Sequence, residues 1–192
     1  TGTRPEQRAI IPARYGLDRS LPVQYAIWLG NLLRGDLGTA IVGQRPVSNM
    51  IMQALPYSLA LGGAALLFSS AVGIVLGVIA AWRRDGWADQ LIMGGVLLGS
   101  TMPTFWLGLL MILIFSVQLG WFPVSGARNL QSLVLPVLTI GLAGTALVAR
   151  VTRVAMIEAS QRDFVMLLHA KGLPRWRIHL GHVLRHALTA VV

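Results

Sequence analysis

The four histidines of the chain all lie within residues 161–188, the segment QRDFVMLLHAKGLPRWRIHLGHVLRHAL. His179, His182 and His186 are spaced three and four residues apart. On one helix they would share a face and could bind a metal ion. Against that interpretation, the segment contains no HExxH motif, and no carboxylate lies near these histidines to complete a ligand set. The pattern favours solvated histidines at an interface over a metal site.

Hydroxyl residues are present, but none has the sequence context of a hydrolase nucleophile, which is GxSxG. Examples in or beside apolar runs are Ser69, Ser70, Ser100, Thr101 and Ser125. Hydroxyls in such places usually bond to the local backbone or across helices. The chain also has no cysteine, so thiol chemistry and disulfides are excluded. We therefore predict no catalytic residue and no enzyme activity in this chain.

The residues that usually bind nucleotides or coupling ions are missing from the sequence as well. No GxxxxGK[ST] phosphate-binding loop occurs, so we expect this chain to bind no cofactor, and any ATP and magnesium to be bound by a partner. None of the seven acidic residues lies inside an apolar run. Ion-driven transporters often place carboxylates at the membrane midplane, so a secondary transporter is disfavoured, although ions coordinated by the backbone leave it open.

The histidine segment is also basic and is interrupted near its middle. Gly172 and Pro174 separate two apolar-basic stretches that have helical character. Its lysine and arginines are Arg162, Lys171, Arg175, Arg177 and Arg185. A helix, a break and a second basic helix predict a docking element rather than a core.

Composition places this docking element in a membrane protein. Hydrophobic residues make up 55% of the chain and charged residues only 12%, with a mean hydropathy of +0.66. Soluble domains carry roughly 25% charged residues. The net charge of +9 does not indicate nucleic acid, because the basic residues lie between long apolar runs rather than on a soluble domain. Positive charge beside membrane spans is the commoner cause, and we expect the lipid bilayer, not nucleic acid, as a partner.

Three apolar runs are long enough for the ~20 residues of a spanning helix. They cover residues 55–82, 90–119 and 133–150, and a further apolar helix begins at about 178–192. Pro103, near the centre of the second run, predicts a kinked helix or a helix with an irregular half. Gly73 and Gly77 in the first run form a GxxxG spacing, which permits close helix approach. The predicted fold is an all-α, multi-pass transmembrane bundle.

Residues 1–54 differ from the rest in their mixed composition and frequent prolines and glycines. Residues 21–33 have the apolar spacing of a helix, and 34–38 predict a turn. We expect a loop or soluble domain here and the membrane core in 55–192. Because the chain begins without methionine and ends inside an apolar helix, we also expect it to be truncated at both ends.

Basic residues predict the orientation of the spans. The turn at Arg83 and the region from Arg150 to Arg185 should share the cytoplasmic side, because the opposite loop around Trp121 holds only Arg128. Residues 1–54 would then lie in the periplasm, together with their own arginines, since long domains translocate largely regardless of charge.

Several short motifs in a fixed order resemble the permease subunits of bacterial ATP-binding-cassette importers, in the dipeptide, oligopeptide and nickel branch. The motifs are GDLG at 35–38, LPYSL at 55–59, GIVLGVIAA at 73–81, STMPTFWLG at 100–108, GWFPVSG at 120–126, AKGL at 170–173 and HVLRHAL at 182–188. Each motif alone is a weak signal, but together they extend over most of the chain.

This resemblance implies the fold of a type I importer permease in the bacterial inner membrane. It implies a role in coupling ATPase motion to alternating access for peptides or nickel chelates. The expected partners are a second permease subunit, two ATP-binding-cassette ATPase subunits and a periplasmic substrate-binding protein. Relative to the family, the first membrane helix and the last one or two are expected to be missing.

The resemblance also implies that residues 157–176 form cytoplasmic coupling helices that dock on the ATPase. The implied coupling residues are Asp163, Phe164, Ala170, Lys171, Gly172, Leu173 and Trp176. Gly172 can adopt backbone conformations closed to other residues, and Pro174 can start the next helix without losing a donor. Phe164 and Trp176 would be the apolar anchors. The chain departs from the wider family at Met166, where a glutamate is usual, and at Leu167 and Leu168, where alanines are usual.

Position alone suggests which residues line the translocation pathway: Pro103, Phe105 and Trp106 in the second run. Two other functions stay open at this point. One is a secondary transporter or channel that uses the same spans without ATPases. The other is a membrane scaffold whose basic loop lies on anionic lipid or binds a soluble partner.

Overall fold

The computed structural model describes residues 19–40, 42–126 and 129–189 of the chain. Apart from an isolated β-bridge between Thr39 and Pro46, the regular structure of these residues is helical, which confirms the all-α prediction. The chain divides into two compact units, Thr1–Pro56 and Tyr57–Val192.

In the first unit, helix α1 covers Leu21–Leu33, the residues predicted to be helical. Pro22 lies in its first turn, where a missing N–H removes no intrahelical bond. The helix ends where the backbone N–H of Gly35 donates to the Leu32 carbonyl, and Gly38 N–H then donates to the Asp36 carboxylate at 2.8 Å. The predicted turn at 34–38 is thereby confirmed as a hydrogen-bonded turn.

The next helix, α2, covers Val47–Trp82 and is long and apolar enough to cross a membrane. It begins eight residues before the predicted span at 55–82. The prediction had Pro56 near the start of the helix, whereas in the structure this proline lies inside it. Membrane helices tolerate an internal proline, since neighbouring groups can satisfy the backbone that it frees. The helix ends at Trp82, as predicted, and a turn through Asp85 and Gly86 follows.

The second apolar run is broken at Pro103. Helix α3 covers Trp87–Thr101, and helix α4 covers Thr104–Met111 and continues as a π-helical stretch over Ile112–Gln118. The two helices are bent by 103°. Met102 is extended because a following proline disfavours the helical conformation, so the predicted irregularity at Pro103 is confirmed as a complete break.

Helix α5, Leu130–Ser160, is the other single helix in the described part of the chain that is long and apolar enough to span a membrane. The predicted span ended at 150 because Arg150 and Arg153 mark a change in charge. Charge does not stop a helix, and α5 continues to Ser160. Helix α6 then covers Asp163–Ala170. The last described helix, α7, covers Arg175–Arg177, a π-helical stretch Ile178–Val183 and Leu184–Leu188.

Helices α2 and α5 approach each other closely through glycine. A methyl group added at Gly77 would lie 2.6 Å from the Ala149 carbonyl oxygen and 2.6 Å from Thr152 Cβ. At Gly73 it would lie 2.6 Å from Val148 Cβ. The GxxxG spacing seen in the sequence is therefore a helix contact, at which no larger residue fits without displacing α5.

The two halves of the broken run pack at successive levels along α5. Asp89 near the start of α3 pairs with Arg153, Val96 packs with Ala146 and Ala149, and Gly108 of α4 lies against Thr139. From residue 153 to residue 139, a helix rises about 21 Å. Because the contacts progress along α5 instead of returning to their starting level, they favour one broken span over a re-entrant loop, and we call α3 and α4 together the broken span.

The glycine contact gives a first prediction. Gly77→Ala should lower the stability of the protein by about 1–3 kcal/mol, the usual cost of overpacking, because the new methyl group meets backbone and a β-branched side chain. Gly62→Ala in the same helix is the matched control, since nothing lies within 4 Å of a methyl group there. Thermal unfolding of the detergent-purified protein measures the difference, and equal melting temperatures for the two variants would contradict the packing described.

Candidate functional site

The segment that follows α5 is fixed to the core by its inner face. Val165 of α6 is buried in one cluster with Met156 and Ala159 of α5, and Ile178 and Val183 of α7 belong to the same cluster. Leu168 and Leu173 pack against it. The short helix α6 is thus attached along its length to two longer helices, which allows it to move with them as one body.

Phe164 belongs to the inner face as well. It packs against the cluster, and its ring lies 4.8 Å from the ring of His186, centroid to centroid. The sequence suggested Phe164 as an outward apolar anchor, but the structure uses it to join α6 to α7. Helix spacing offered a signal, since Phe164 and Leu168 are one turn apart and both lie on this side.

A tight turn connects α6 to α7. Gly172 N–H donates to the His169 carbonyl at 2.9 Å, and Leu173 N–H donates to the Leu168 carbonyl at 3.3 Å, which satisfies the last carbonyls of α6. Gly172 has a φ of 75°, a left-handed conformation in which a β-carbon is strained. Pro174 precedes α7, and its carbonyl accepts the N–H of Ile178. The predicted roles of the glycine and the proline in the break are therefore confirmed.

The apolar side chains that this segment exposes are flanked in the sequence by charged, mostly basic residues. Met166 is 72% exposed and Leu167 57% exposed, and Trp176 is exposed with the Arg177 guanidinium 5.4 Å from its ring centroid. We call Met166, Leu167 and Trp176 the outer apolar patch. Exposed charged residues surround it in sequence, namely Arg162, Asp163, Lys171, Arg175 and Arg177. Of the other predicted coupling residues, Ala170 and Gly172 are exposed and Leu173 is partly buried.

Met166 and Leu167 are the functional candidates that sequence reasoning missed. They stood out there only as departures from the family pattern. Their positions between the inward Val165 and Leu168 place them on the outward side of α6. The departure at Met166 therefore places an apolar side chain where a charged one is usual on the outer side, whereas the departure at Leu168 lies on the inner side and packs against the core.

The predicted pathway residues lie at the break between α3 and α4. Pro103 precedes α4, and its carbonyl accepts the N–H of Trp106. Phe105 is mostly exposed and lines a cavity of about 370 Å³ together with the 123–126 loop and α5. Trp106 is exposed too. The three residues are thus adjacent and accessible, and their role in transport stays a prediction.

A partly buried ion pair joins α3 to α5, and sequence reasoning did not find it. Arg153 donates from Nε to Asp89 Oδ1 at 2.7 Å and from Nη2 to Asp89 Oδ2 at 2.6 Å. The Asp89 side chain is only 5% exposed and that of Arg153 is 23% exposed. Asp85 N–H also donates to Asp89 at 3.0 Å. The predicted second run begins at residue 90, so Asp89 lies just outside it in the sequence. In the structure Asp89 lies in the first turn of α3, which is the first half of the broken span.

The histidines do not converge. His169 Nδ1 donates to the Val165 carbonyl at 2.9 Å, His179 stacks on Trp82 with ring centroids 5.9 Å apart, and His186 contacts Phe164. Within the described residues, no group of three or more histidine or acidic side chains could hold a metal ion. The Trp82 contact also places the end of α2 beside α7, which agrees with the shared side predicted from their basic residues.

Comparison with known proteins assigns the class. The model of the family described as binding-protein-dependent transport system inner membrane component matches residues 73–192. This match covers more than half of the chain, which therefore belongs to this family of inner-membrane proteins.

Individual relatives extend the match to the rest of the chain. The di/tripeptide transport system permease protein of Pseudomonas aeruginosa is 36% identical over 216 residues, covering 98% of this chain and 64% of its own length. The glutathione transport system permease protein of Pectobacterium atrosepticum is 38% identical over 177 residues, covering 92% and 58%. That of Salmonella typhimurium is 36% identical over 184 residues, covering 96% and 60%. The chain thus spans less than two thirds of the length of these relatives.

Exposure of α6 can be tested directly, because the chain has no cysteine of its own. Met166→Cys should react rapidly with a water-soluble maleimide, whereas the neighbouring Val165→Cys should react at least about tenfold more slowly because Val165 is buried. The measurement is the labelling rate in inside-out membrane vesicles stripped of peripheral proteins, so that no docked partner covers α6. Comparable rates at the two positions would show that α6 is not packed on α5 and α7 as described.

Proposed function

We propose that this chain is the permease subunit of an ATP-driven importer of peptides. The observation that carries the proposal is the segment after α5, which is anchored to the spans by its inner face and presents the outer apolar patch, flanked in the sequence by charged, mostly basic residues. Such a surface suits a groove on a polar partner. Membership of the binding-protein-dependent transport family supports the same role.

The partner that we propose for this surface is an ATP-binding-cassette ATPase. The chain has no phosphate-binding loop, so ATP and magnesium would be bound and hydrolysed by that partner, while this chain performs no catalysis. The complete assembly would contain a second permease subunit, two ATPase subunits and a periplasmic substrate-binding protein. In this assembly, Asp163, Lys171 and Trp176 lie on the docking side.

The proposed mechanism is mechanical. Closure of the ATPases on ATP would push on α6 and on the turn at Gly172, and α6 would pass this movement to α5 through Val165 and Met156. The spans would then tilt and open the pathway beside Pro103, Phe105 and Trp106 to alternate sides. Such a change is a two-state equilibrium that nucleotide biases through its different affinity for the two states.

Peptides are proposed as the substrate class because the relatives named above transport di- and tripeptides and glutathione according to their names. Nickel appears in none of those names, so nickel chelates are not part of the proposal. The scaffold and secondary-transporter alternatives have no comparable support, since no described contact or relative favours them.

The test uses the complete transporter reconstituted in lipid vesicles with its binding protein. Gly172→Val should abolish the stimulation of ATP hydrolysis by peptide-loaded binding protein, because the left-handed turn costs a β-branched residue about 1–2 kcal/mol and the docking surface shifts. Gly172→Asn is the matched control and should retain most of the stimulation, since asparagine tolerates this conformation.

In the same vesicles, wild-type transporter should accumulate labelled di- or tripeptide only when ATP is supplied. Normal stimulation in Gly172→Val would overturn the assignment of the coupling turn. Peptide uptake that follows an ion gradient without ATP would overturn the importer proposal itself and favour a secondary transporter.

A further inference from the structure

The ion pair between Asp89 and Arg153 has a geometry that fixes two helices relative to each other. Its two hydrogen bonds, 2.7 Å and 2.6 Å long, join both carboxylate oxygens to one guanidinium, so neither side chain can shift without losing a bond. The backbone N–H of Asp85 holds the same carboxylate from the loop before α3. Three donors therefore define the position of the Asp89 carboxylate.

Such a pair contributes little to stability but strongly disfavours separation of its partners. Removing two charges from water costs about as much as their attraction returns, whereas separating them inside the protein leaves an uncompensated charge. The pair therefore fixes the start of α3 relative to the part of α5 that carries Arg153. If that part of α5 moves, the start of α3 moves with it, because separating the two charges is strongly opposed.

The two residues lie between the sites that transport must connect. Arg153 is seven residues before the end of α5 at Ser160, about 10 Å along a helix, and α6 follows after Gln161 and Arg162. Asp89 is in the first turn of α3, which leads to the break at Pro103. The pair is thus a direct connection from the coupling segment to the broken span.

We propose that Asp89 and Arg153 are positioning residues that transmit the movement of α6 and α5 to the broken span formed by α3 and α4. The inference rests on the proposed function, because it assumes that α6 receives the movement of an ATPase. In this role neither residue needs to touch the substrate. Their role is to make the α3 half of the span follow α5 when the transporter changes state.

An exposed pair close by provides a control. Arg84 and Asp85 lie 3.3 Å apart, but their side chains are 50% and 79% exposed. An exposed pair of this kind is worth little because water and salt screen it. Arg84→Gln removes this pair, leaves the Asp85 backbone N–H that donates to Asp89, and changes no atom that bonds to Asp89 or Arg153.

The experiment compares Asp89→Asn, the double variant Asp89→Asn with Arg153→Met, and Arg84→Gln in the reconstituted complete transporter. Two quantities are measured: the amount of folded complex in the membrane, and the number of peptides imported per ATP hydrolysed. Asp89→Asn should lower the second quantity about tenfold, within the usual range of coupling energies between sites. Arg84→Gln should leave both quantities at the wild-type level.

The double variant separates transmission from stability. Asp89→Asn alone leaves the Arg153 guanidinium without its carboxylate, and the double variant removes that guanidinium as well. In the double variant the amount of folded complex should therefore return to the wild-type level. The import per ATP should stay low, because the connection between the helices is still missing. Recovery of both quantities in the double variant would overturn the proposal and assign the pair a purely structural role. A wild-type import ratio in Asp89→Asn would overturn it as well.

Failure of the underlying function would look different. If the wild-type transporter itself imports no peptide on ATP, the importer proposal is wrong, whatever the variants do. If the wild type imports peptide and Asp89→Asn imports it with the same yield per ATP, only the role of the ion pair is wrong.

Discussion

The close approach of α2 and α5 is the contact on which the rest of the structure depends. Apolar helices gain little by leaving lipid for each other, so their association depends on van der Waals contact over a well-fitted surface. Gly77 provides this fit against Ala149 and Thr152, and Gly141 provides it against Phe68. Because α5 is held in this way along its length, it can serve as the common support for α3, α4, α6 and α7.

Because α5 is one continuous helix, it can also transmit movement between the elements that it supports. The same helix contacts the broken span through Thr139, Ala146 and Arg153 and reaches Ser160, immediately before α6. Val165 then seats α6 on Met156. A displacement of the outer face of α6 can therefore pass through packed side chains into the spans, and the ion pair at Arg153 connects α3 to the same path. The importer mechanism requires a connection of this kind, because the chain hydrolyses no ATP in the proposed function.

Local signals in the sequence predicted most of the helices. The helix at Leu21–Leu33, the break at Pro103 and the turn at Gly172 follow from apolar spacing and from the special backbone properties of proline and glycine. Contacts between distant residues were not predictable in this way. Asp89 and Arg153 are 64 residues apart, and no periodicity connects them. The outward position of Met166 was also missed, because the exposed side of a short helix depends on the core against which it packs.

In the proposed function, the outer face of α6 docks on an ATPase and not on lipid. A photo-activated cross-linking amino acid at Leu167, which is 57% exposed, tests this docking in the complete transporter in membranes. After illumination, we expect an adduct between this chain and the ATPase subunit, and its loss when the ATPase is stripped from the membrane. Cross-linking to phospholipid alone, with the ATPase present and active, would show that this face lies on lipid and does not dock.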